Sequence, residues 1–304
     1  MDDWETLDTE QSGSSQVEWL LDPDGQRWLY KPTVTQANGE EQGGDWAEVV
    51  AAQVARCMGV PCAEAQLCSR KGQRGSLSRS IIPPEHSLHE GWVMLDDRKV
   101  PGYLRHVEGA AAVDPERPNI IRPGHSLENI QLALHDVAPP PQAAAPPGVT
   151  GFDVFVSYLI LDAVIANRDR HEQNWAVLSP LRRTGLLRLA PSYDHAGSLG
   201  YNLTDQGRER QEQRLDAWLR RGTAHRFEHV RHSPPSLVDL AAQGVRMSGS
   251  AGRRWLATVL EADLEPVLED LRAMQVPDMS EAASRFACEV VTRNMGRLRD
   301  VFGP

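Results

Sequence analysis

Residues 162–175 have the sequence Asp-Ala-Val-Ile-Ala-Asn-Arg-Asp-Arg-His-Glu-Gln-Asn-Trp, which contains the strongest functional pattern of the chain. The apolar run that leads into it, from Phe155 to Ala166, predicts a buried helix. The run from Trp175 to Leu178 predicts a buried strand that leaves it. Polar loops held between buried elements often carry binding or catalytic groups. Residues 167–174 are therefore the first candidate site.

The spacing of the polar residues suggests a chemistry. Asp169 and Asn174 are five positions apart, which is the spacing of the Asp and Asn in a kinase catalytic loop. Asp194 follows a second apolar stretch, Leu186 to Ala190, which predicts a strand. Carboxylate and amide oxygens suit Mg²⁺, and an aspartate can accept the proton of an attacking hydroxyl. His171 could line a nucleotide pocket or be a structural histidine.

The N-terminal part offers a lysine. Residues 17–31 predict a β-hairpin around the turn Asp22-Pro-Asp-Gly25, and Lys31 stands at its end. The chain has only three lysines: Lys31, Lys71 and Lys99. Lys31 could bind phosphates as a point charge, or it could be an exposed residue at the end of a strand.

Glu48 lies on the next predicted helix, Asp45 to Met58. Two roles stay open for it: an ion pair with Lys31, or a capping box with Asp45 at the helix N-terminus. Lysine, glutamate, Asp-x4-Asn and a later aspartate follow one another in the order found in protein kinases. The motifs H-R-D, D-F-G, A-P-E and G-x-G-x-x-G are absent from the sequence.

The flanking regions have simpler patterns. Residues 1–15 are polar, and Ser12-Gly-Ser-Ser15 predicts either a phosphate-binding loop or a disordered tail. Two further strands are expected at 63–68 and 75–82. Residues 83–150 are rich in Pro, Gly and Ala, which predicts a linker or surface excursion with little packing and one short helix at 126–134. Residues 209–302 are helical in pattern, most clearly at 253–271 and 280–302.

Composition excludes several classes of protein. The formal net charge of −10 argues against broad attraction to nucleic acid. No apolar run approaches the roughly 20 residues of a membrane span, and the acidic start does not fit a signal peptide, so a cytoplasmic protein is expected. The four cysteines contain no CxxC pair, which argues against a disulfide framework or a zinc site.

Three segments together resemble the HipA-type serine/threonine kinases. They are Tyr30-Lys-Pro32, the loop 167–174 and Leu-Ala-Pro-Ser-Tyr-Asp at 189–194. The resemblance covers about residues 12–300. It implies an α+β, two-lobed protein-kinase-like fold with a small β-rich N-lobe at 1–82 and a larger, mainly helical C-lobe at 151–304. Residues 83–150 would form the hinge and an insertion.

The resemblance also implies roles for residues. Asp169 would be the catalytic aspartate, with Lys31 on the phosphates of ATP and Glu48 supporting it. Asn174 and Asp194 would bind Mg²⁺, and His171 would lie near the nucleotide. The adenine hinge would fall at Ser78 and Ser80, and the phosphate loop at Ser12, Gly13, Ser14 and Ser15. Its serines are candidates for autophosphorylation.

The chain starts close to that loop, so it is expected to be of the short, stand-alone type that lacks the N-terminal subdomain of full-length HipA. The expected partners are a protein substrate with a Ser/Thr acceptor and an antitoxin or other regulator, as in toxin–antitoxin pairs.

Three functions are compared. The first is an ATP- and Mg²⁺-dependent Ser/Thr protein kinase. The second is a kinase that acts on a small molecule or lipid headgroup, because fold does not determine substrate. The third is a nucleotide-binding pseudokinase that acts through a partner. Competent residues at every expected catalytic position favour an enzyme.

Overall fold

The N-terminal part of the protein is a five-stranded antiparallel sheet. The computed structural model describes residues 1–12, 15–36, 39–106, 114–182 and 185–302. The strands are β1 (Glu5–Ser12), β2 (Ser15–Leu21), β3 (Arg27–Pro32), β4 (Ala65–Arg70) and β5 (Gln73–Arg79). Their order is β1-β2-β3-β5-β4. The predicted hairpin is confirmed: Asp22 Oδ1 accepts the backbone N–H groups of Asp24 and Gln26 in the β2–β3 turn.

Strand β1 corrects the expectation of a loop or tail at the N-terminus. Its residues pair with β2, with a register shift between Thr6 and Asp8. The buried Arg70 guanidinium holds the start of the chain, donating to the Met1 carbonyl at 2.8 Å. Because the side chains of Glu5–Glu10 are exposed, β1 has no apolar alternation by which a strand is recognised.

Helix α1 (Gly44–Cys57) packs its apolar face on β4 and β5. Its N-cap is Gly43, and no side chain caps it, so the expected capping box of Asp45 and Glu48 is wrong. Asp45 instead forms an ion pair with Arg74 at 2.8 Å. The helix begins at Gly44, so Asp45 lies inside the first turn rather than at the cap position.

The segment between the sheet and the helices is well packed, contrary to expectation. It contains β6 (His86–Glu90), α2 (Gly91–Asp97), β7 (Ile120–Ile121) and α3 (Leu127–Ala133), which confirms the short helix. Leu95, Ile130 and Leu134 are fully buried in the main core. Ile130 and Leu134 belong to the predicted helix, whereas the apolar residues around Leu95 follow a Pro- and Gly-containing stretch and form no run long enough to predict a buried helix.

Helix α4 (Gly151–Ile165) is the centre of the C-terminal part. Every residue in it is buried, as predicted from its apolar run, and Thr150 and Asp153 form a capping box at its start. The predicted strands are also confirmed: β8 (Ala176–Pro180) pairs with β6 on one side and with β9 (Arg188–Leu189) on the other. These strands flank the polar loop that follows α4.

The remaining elements complete the C-terminal part, whose helices pack on α4 directly or on the C-terminal helix that contacts it. They are α5 (Asp205–Glu212), α6 (Leu215–Arg220), β10 (His229–Val230), α7 (Leu237–Met247), α8 (Ser250–Leu260), α9 (Glu265–Arg272) and α10 (Glu281–Phe302). Helix α10 confirms the prediction at 280–302. The single helix expected at 253–271 is instead α8 and α9, because Pro266 has no N–H to continue a helix and lies in the first turn of α9. In the described ranges, no helix combines the length and apolarity that crossing a membrane requires.

Candidate active site

A buried ion pair anchors the polar loop after α4. Arg170 donates to both oxygens of Asp162, through Nε at 2.8 Å and Nη2 at 2.7 Å. Asn167 Nδ2 adds a third hydrogen bond to Asp162 at 2.8 Å. No role follows from the sequence for Arg168 or Arg170; in the structure Arg170 is only 2% exposed, whereas Arg168 is exposed. The loop is therefore fixed to the end of the central helix.

The same loop brings Asp169 and Asn174 together. Asn174 Nδ2 donates to the Asp169 carbonyl at 2.8 Å, and Arg170 Nη1 donates to the Asn174 carbonyl at 2.7 Å. Because the amide nitrogen of Asn174 is committed to the loop, its Oδ1 is the atom left to act as a ligand. The five-residue spacing thus produces a closed turn with a carboxylate and an amide oxygen.

Lys31 and Asp194 meet across the two parts of the fold. Lys31 Nζ, at the end of β3, lies 2.7 Å from Asp194 Oδ1 in the segment after β9. Burial opposes the charge of each group. Their mutual attraction nevertheless dominates, so the pKa of Lys31 is raised and the pKa of Asp194 is lowered. The charges of Glu48 and, more weakly, Asp169 also raise the pKa of Lys31, which brings these four groups into one electrostatic site.

Glu48 holds the residue after Asp194 rather than Lys31, which corrects the expected ion pair. Its Oε2 accepts the backbone N–H of His195 at 2.6 Å, and its Oε1 lies 3.5 Å from His195 Nδ1. The fully buried imidazole also contacts Ser192 Oγ at 2.7 Å. Burial favours the neutral ring, but the neighbouring Cys62 and Glu48 raise the pKa of His195 to about 10. Helix α1 is thereby tied to the segment that carries Asp194.

His171 lies half-buried in the loop, where its Nδ1 accepts the N–H of Gln173 at 3.2 Å. Burial lowers its pKa, although Asp169 acts in the opposite direction. This position leaves both roles open for the residue.

The described serines expected around the nucleotide lie in the N-terminal sheet or directly after one of its strands. Ser78 is in β5 between Leu29 and Ala65, and the Ser80 N–H donates to the Arg27 carbonyl at 2.9 Å. Ser12 and Ser15 are paired end residues of β1 and β2. The expectations for Gly13 and Ser14 lie outside the described residues.

Two residues near the site were missed from the sequence. Arg226, between α6 and β10, contacts Asp169 Oδ1 through Nε at 2.7 Å and Nη2 at 2.6 Å. His125 is fully buried beneath it and donates to the Arg226 carbonyl at 2.7 Å. Arg226 is 57 residues from Asp169, and no local pattern marks either residue.

Solved structures define the class to which this architecture belongs. The Helicobacter pylori proinflammatory kinase CtkA superimposes with a TM-score of 0.70 at 14% identity, covering 99% of this chain and 95% of that one. The fold is thus the two-lobed, α+β fold of protein kinases. HipA of Shewanella oneidensis, solved with HipB and operator DNA, gives a TM-score of 0.45 at 12% identity, covering 99% of this chain and 64% of that one.

The family follows from the sequence comparison. Residues 9–248 match the family model of the HipA-like C-terminal domain, so the chain belongs to this family. This confirms the resemblance found in the three segments at 30–32, 167–174 and 189–194. No curated protein matches the chain significantly.

Proposed function

We propose that the protein is an ATP- and Mg²⁺-dependent serine/threonine protein kinase. The observation that carries the proposal is the 2.7 Å contact between Lys31 and Asp194, which joins the lysine of the sheet lobe to the aspartate of the helical lobe. Asp169 and Asn174 lie in one closed turn beside them. A phosphate-binding lysine, a metal-binding aspartate and a catalytic aspartate are the parts that phosphoryl transfer needs.

The donor set fits Mg²⁺. Asp194 offers a carboxylate and Asn174 an amide oxygen whose orientation is fixed by the bond from Nδ2 to Asp169. Mg²⁺ binds hard oxygens and usually takes one or two protein ligands together with phosphates and water. When bound, the ion would neutralise charge on the phosphates. Lys31 is the group that would leave Asp194 for the phosphates.

Asp169 would act on the acceptor. Its Oδ1 is held by Arg226, and among the described residues Oδ2 has no hydrogen-bond partner. A serine or threonine hydroxyl bound at Oδ2 would be oriented toward the γ-phosphorus. As the new O–P bond forms and the bond to the β-phosphate oxygen breaks, the hydroxyl proton passes to Asp169 and ADP leaves.

The nucleotide would lie along the N-terminal sheet. We propose that the adenine lies beside Ser78 and Ser80, that residues 12–15 bind the phosphates, and that His171 lies at the edge of the pocket. Ser12, Ser14 and Ser15 are then close to the γ-phosphate and are the proposed autophosphorylation sites. Phosphopeptide mass spectrometry after incubation with ATP and Mg²⁺ would detect them, and unmodified serines would contradict this part.

Transfer of the γ-phosphate of ATP to proteins of a lysate and to the chain itself tests the proposal. We expect transfer by the wild type and a loss of at least about 100-fold in Asp169→Asn and Asp194→Asn. Asp24→Asn, an exposed carboxylate in the β2–β3 turn, is the matched control and should retain full activity. No transfer by the wild type would contradict the proposal. Transfer only to protein-free metabolites would indicate a small-molecule kinase instead.

A further inference from the structure

Arg226 holds one side of the Asp169 carboxylate. Both of its contacts, at 2.7 Å from Nε and 2.6 Å from Nη2, are to Oδ1. The two side chains are partly exposed, 30% for Arg226 and 44% for Asp169, so the pair lies at the surface of the site rather than in the core. A guanidinium fixes a carboxylate in direction as well as in charge, because its donors lie in one plane.

The backbone of Arg226 is itself fixed by a buried histidine. His125 donates from Nδ1 to the Arg226 carbonyl at 2.7 Å, and its carbonyl accepts the N–H of Glu228 at 2.7 Å. The ring of Phe227, also buried, stacks on the imidazole with centroids 4.6 Å apart. Pairing of β10 with β7 closes the segment just beyond Glu228. Arg226 therefore projects from a rigid turn.

The other nitrogen of His125 reaches the polar loop. Trp175 Nε1 lies 3.2 Å from His125 Nε2, and an indole N–H can only donate. Nε2 must therefore accept, and the proton of the neutral ring is on Nδ1, where it serves the Arg226 carbonyl. Trp175 directly follows Asn174. One buried imidazole thus links the arginine on Asp169 to the segment of the proposed metal ligand.

We propose that Arg226, held by His125, is a positioning residue that sets the orientation of Asp169 from outside the loop and leaves Oδ2 for the acceptor hydroxyl. The inference rests on the proposed kinase function. Asp169 has a half-exposed side chain, and among the described residues the hydrogen bonds to its carboxylate come from Arg226. Misplacement of a catalytic group by about 1 Å can cost roughly 100-fold in rate. Loss of Arg226 should therefore slow transfer without weakening ATP binding.

Steady-state kinetics of Arg226→Met, Arg226→Lys and the control Arg231→Met test this role. We expect Arg226→Met to lower kcat by about 10- to 100-fold with KM for ATP unchanged, and Arg226→Lys to recover part of the loss. Arg231 is an exposed arginine of the same segment whose side chain donates to the Pro118 carbonyl and makes no contact with Asp169, so its replacement should leave kcat unchanged. Thermal unfolding of each variant confirms that it is folded, and Arg226→Gln serves as a second neutral variant.

A double-mutant cycle separates positioning from general disturbance. In the Asp169→Asn background, Arg226→Met should change the residual rate by less than about twofold, because the carboxylate it orients is gone. An equal loss in both backgrounds, or a wild-type kcat in Arg226→Met, would overturn the inference while leaving the kinase proposal intact. A loss confined to KM for the acceptor would also overturn it, since Arg226 would then be a substrate-binding residue. Absence of transfer by the wild type would overturn both.

Discussion

At the scale of single residues, the site combines groups that are close in sequence with groups that are remote. Asp169 and Asn174 share one loop, so their spacing was sufficient to predict that they meet. Asp162 indicates the anchor of the loop in the sequence itself, because a carboxylate inside an apolar helix requires a buried partner, here Arg170. Arg226 could not be predicted, since its contact depends on how two distant segments pack.

His125 makes the stability of the protein depend on pH. Burial lowers its pKa, so in the folded protein the ring stays neutral below pH 6.5, where the unfolded chain binds a proton. The unfolded state then holds more protons, and the free energy of unfolding falls as the pH drops below 6.5, by at most about 1.4 kcal/mol per pH unit for one group.

Urea denaturation at pH 7.5 and pH 5.5 measures this contribution. We expect His125→Gln to lose less stability over this interval than the wild type, since glutamine does not titrate. His135→Gln is the control because His135 is exposed, and it should keep the wild-type pH dependence. An identical pH dependence in all three proteins would contradict the prediction.

At the scale of elements, periodic segments were predictable and aperiodic ones were not. Helices α4 and α10 and the β2–β3 hairpin were predicted because their apolar residues or turn residues recur at fixed spacing. Strands β1 and β6 and helix α2 have no such period. Their burial and pairing are set by tertiary contacts, as for Leu95 in the main core.

Replacing either of two helical glycines by alanine should change the free energy of unfolding, but in opposite directions. A Cβ on Gly91, the first residue of α2, would stand 2.1 Å from the buried indole of Trp175, whereas a Cβ on Gly296 in α10 meets no atom within 4 Å. We expect Gly91→Ala to lower the free energy of unfolding by about 1–3 kcal/mol, because the packed indole must move. Gly296→Ala should raise it by about 0.5–1 kcal/mol through helix propensity.

Urea unfolding measures the free energy of unfolding of both variants. Because both carry a Gly→Ala substitution in a helix, each is the control for the other. Since Trp175 adjoins Asn174, Gly91→Ala should also reduce phosphate transfer, which Gly296→Ala should leave at the wild-type level. A Gly91→Ala variant as stable as the wild type would show that the contact between α2 and Trp175 can relax.

At the scale of the whole molecule, the two lobes meet at the candidate site. Lys31 and Glu48 come from the sheet lobe, and Asp194 and His195 from the helical lobe. Their order along the chain could be predicted, but their contacts could not. Lys31 contacts Asp194 rather than Glu48, and Glu48 contacts His195. Which carboxylate pairs with which basic side chain depends on the distances between these side chains in the folded protein.

Because the residues proposed to bind ATP and Mg²⁺ lie in both lobes, binding of ATP with Mg²⁺ should stabilise the entire fold. A ligand that binds only the folded state at 100 times its Kd adds about 2.7 kcal/mol. We expect Tm to rise by several degrees in the wild type, in differential scanning fluorimetry, and to rise much less in Asp194→Asn. The Asp24→Asn control should respond as the wild type does. An equal shift in Asp194→Asn would exclude that residue from the site.

The position of β1 at the edge of its sheet affects whether copies of the protein can associate through their sheets. It is the outermost strand of its sheet, so one row of its backbone groups faces outward. Such a margin invites another chain to add a strand, which is the first step of fibre growth. Here the edge strand carries the carboxylates of Glu5, Asp8 and Glu10, and the register shift between Thr6 and Asp8 interrupts its regular geometry. Like charges and the shifted register oppose the addition of a strand from another copy. We therefore expect the sheet to resist edge-to-edge association at high protein concentration.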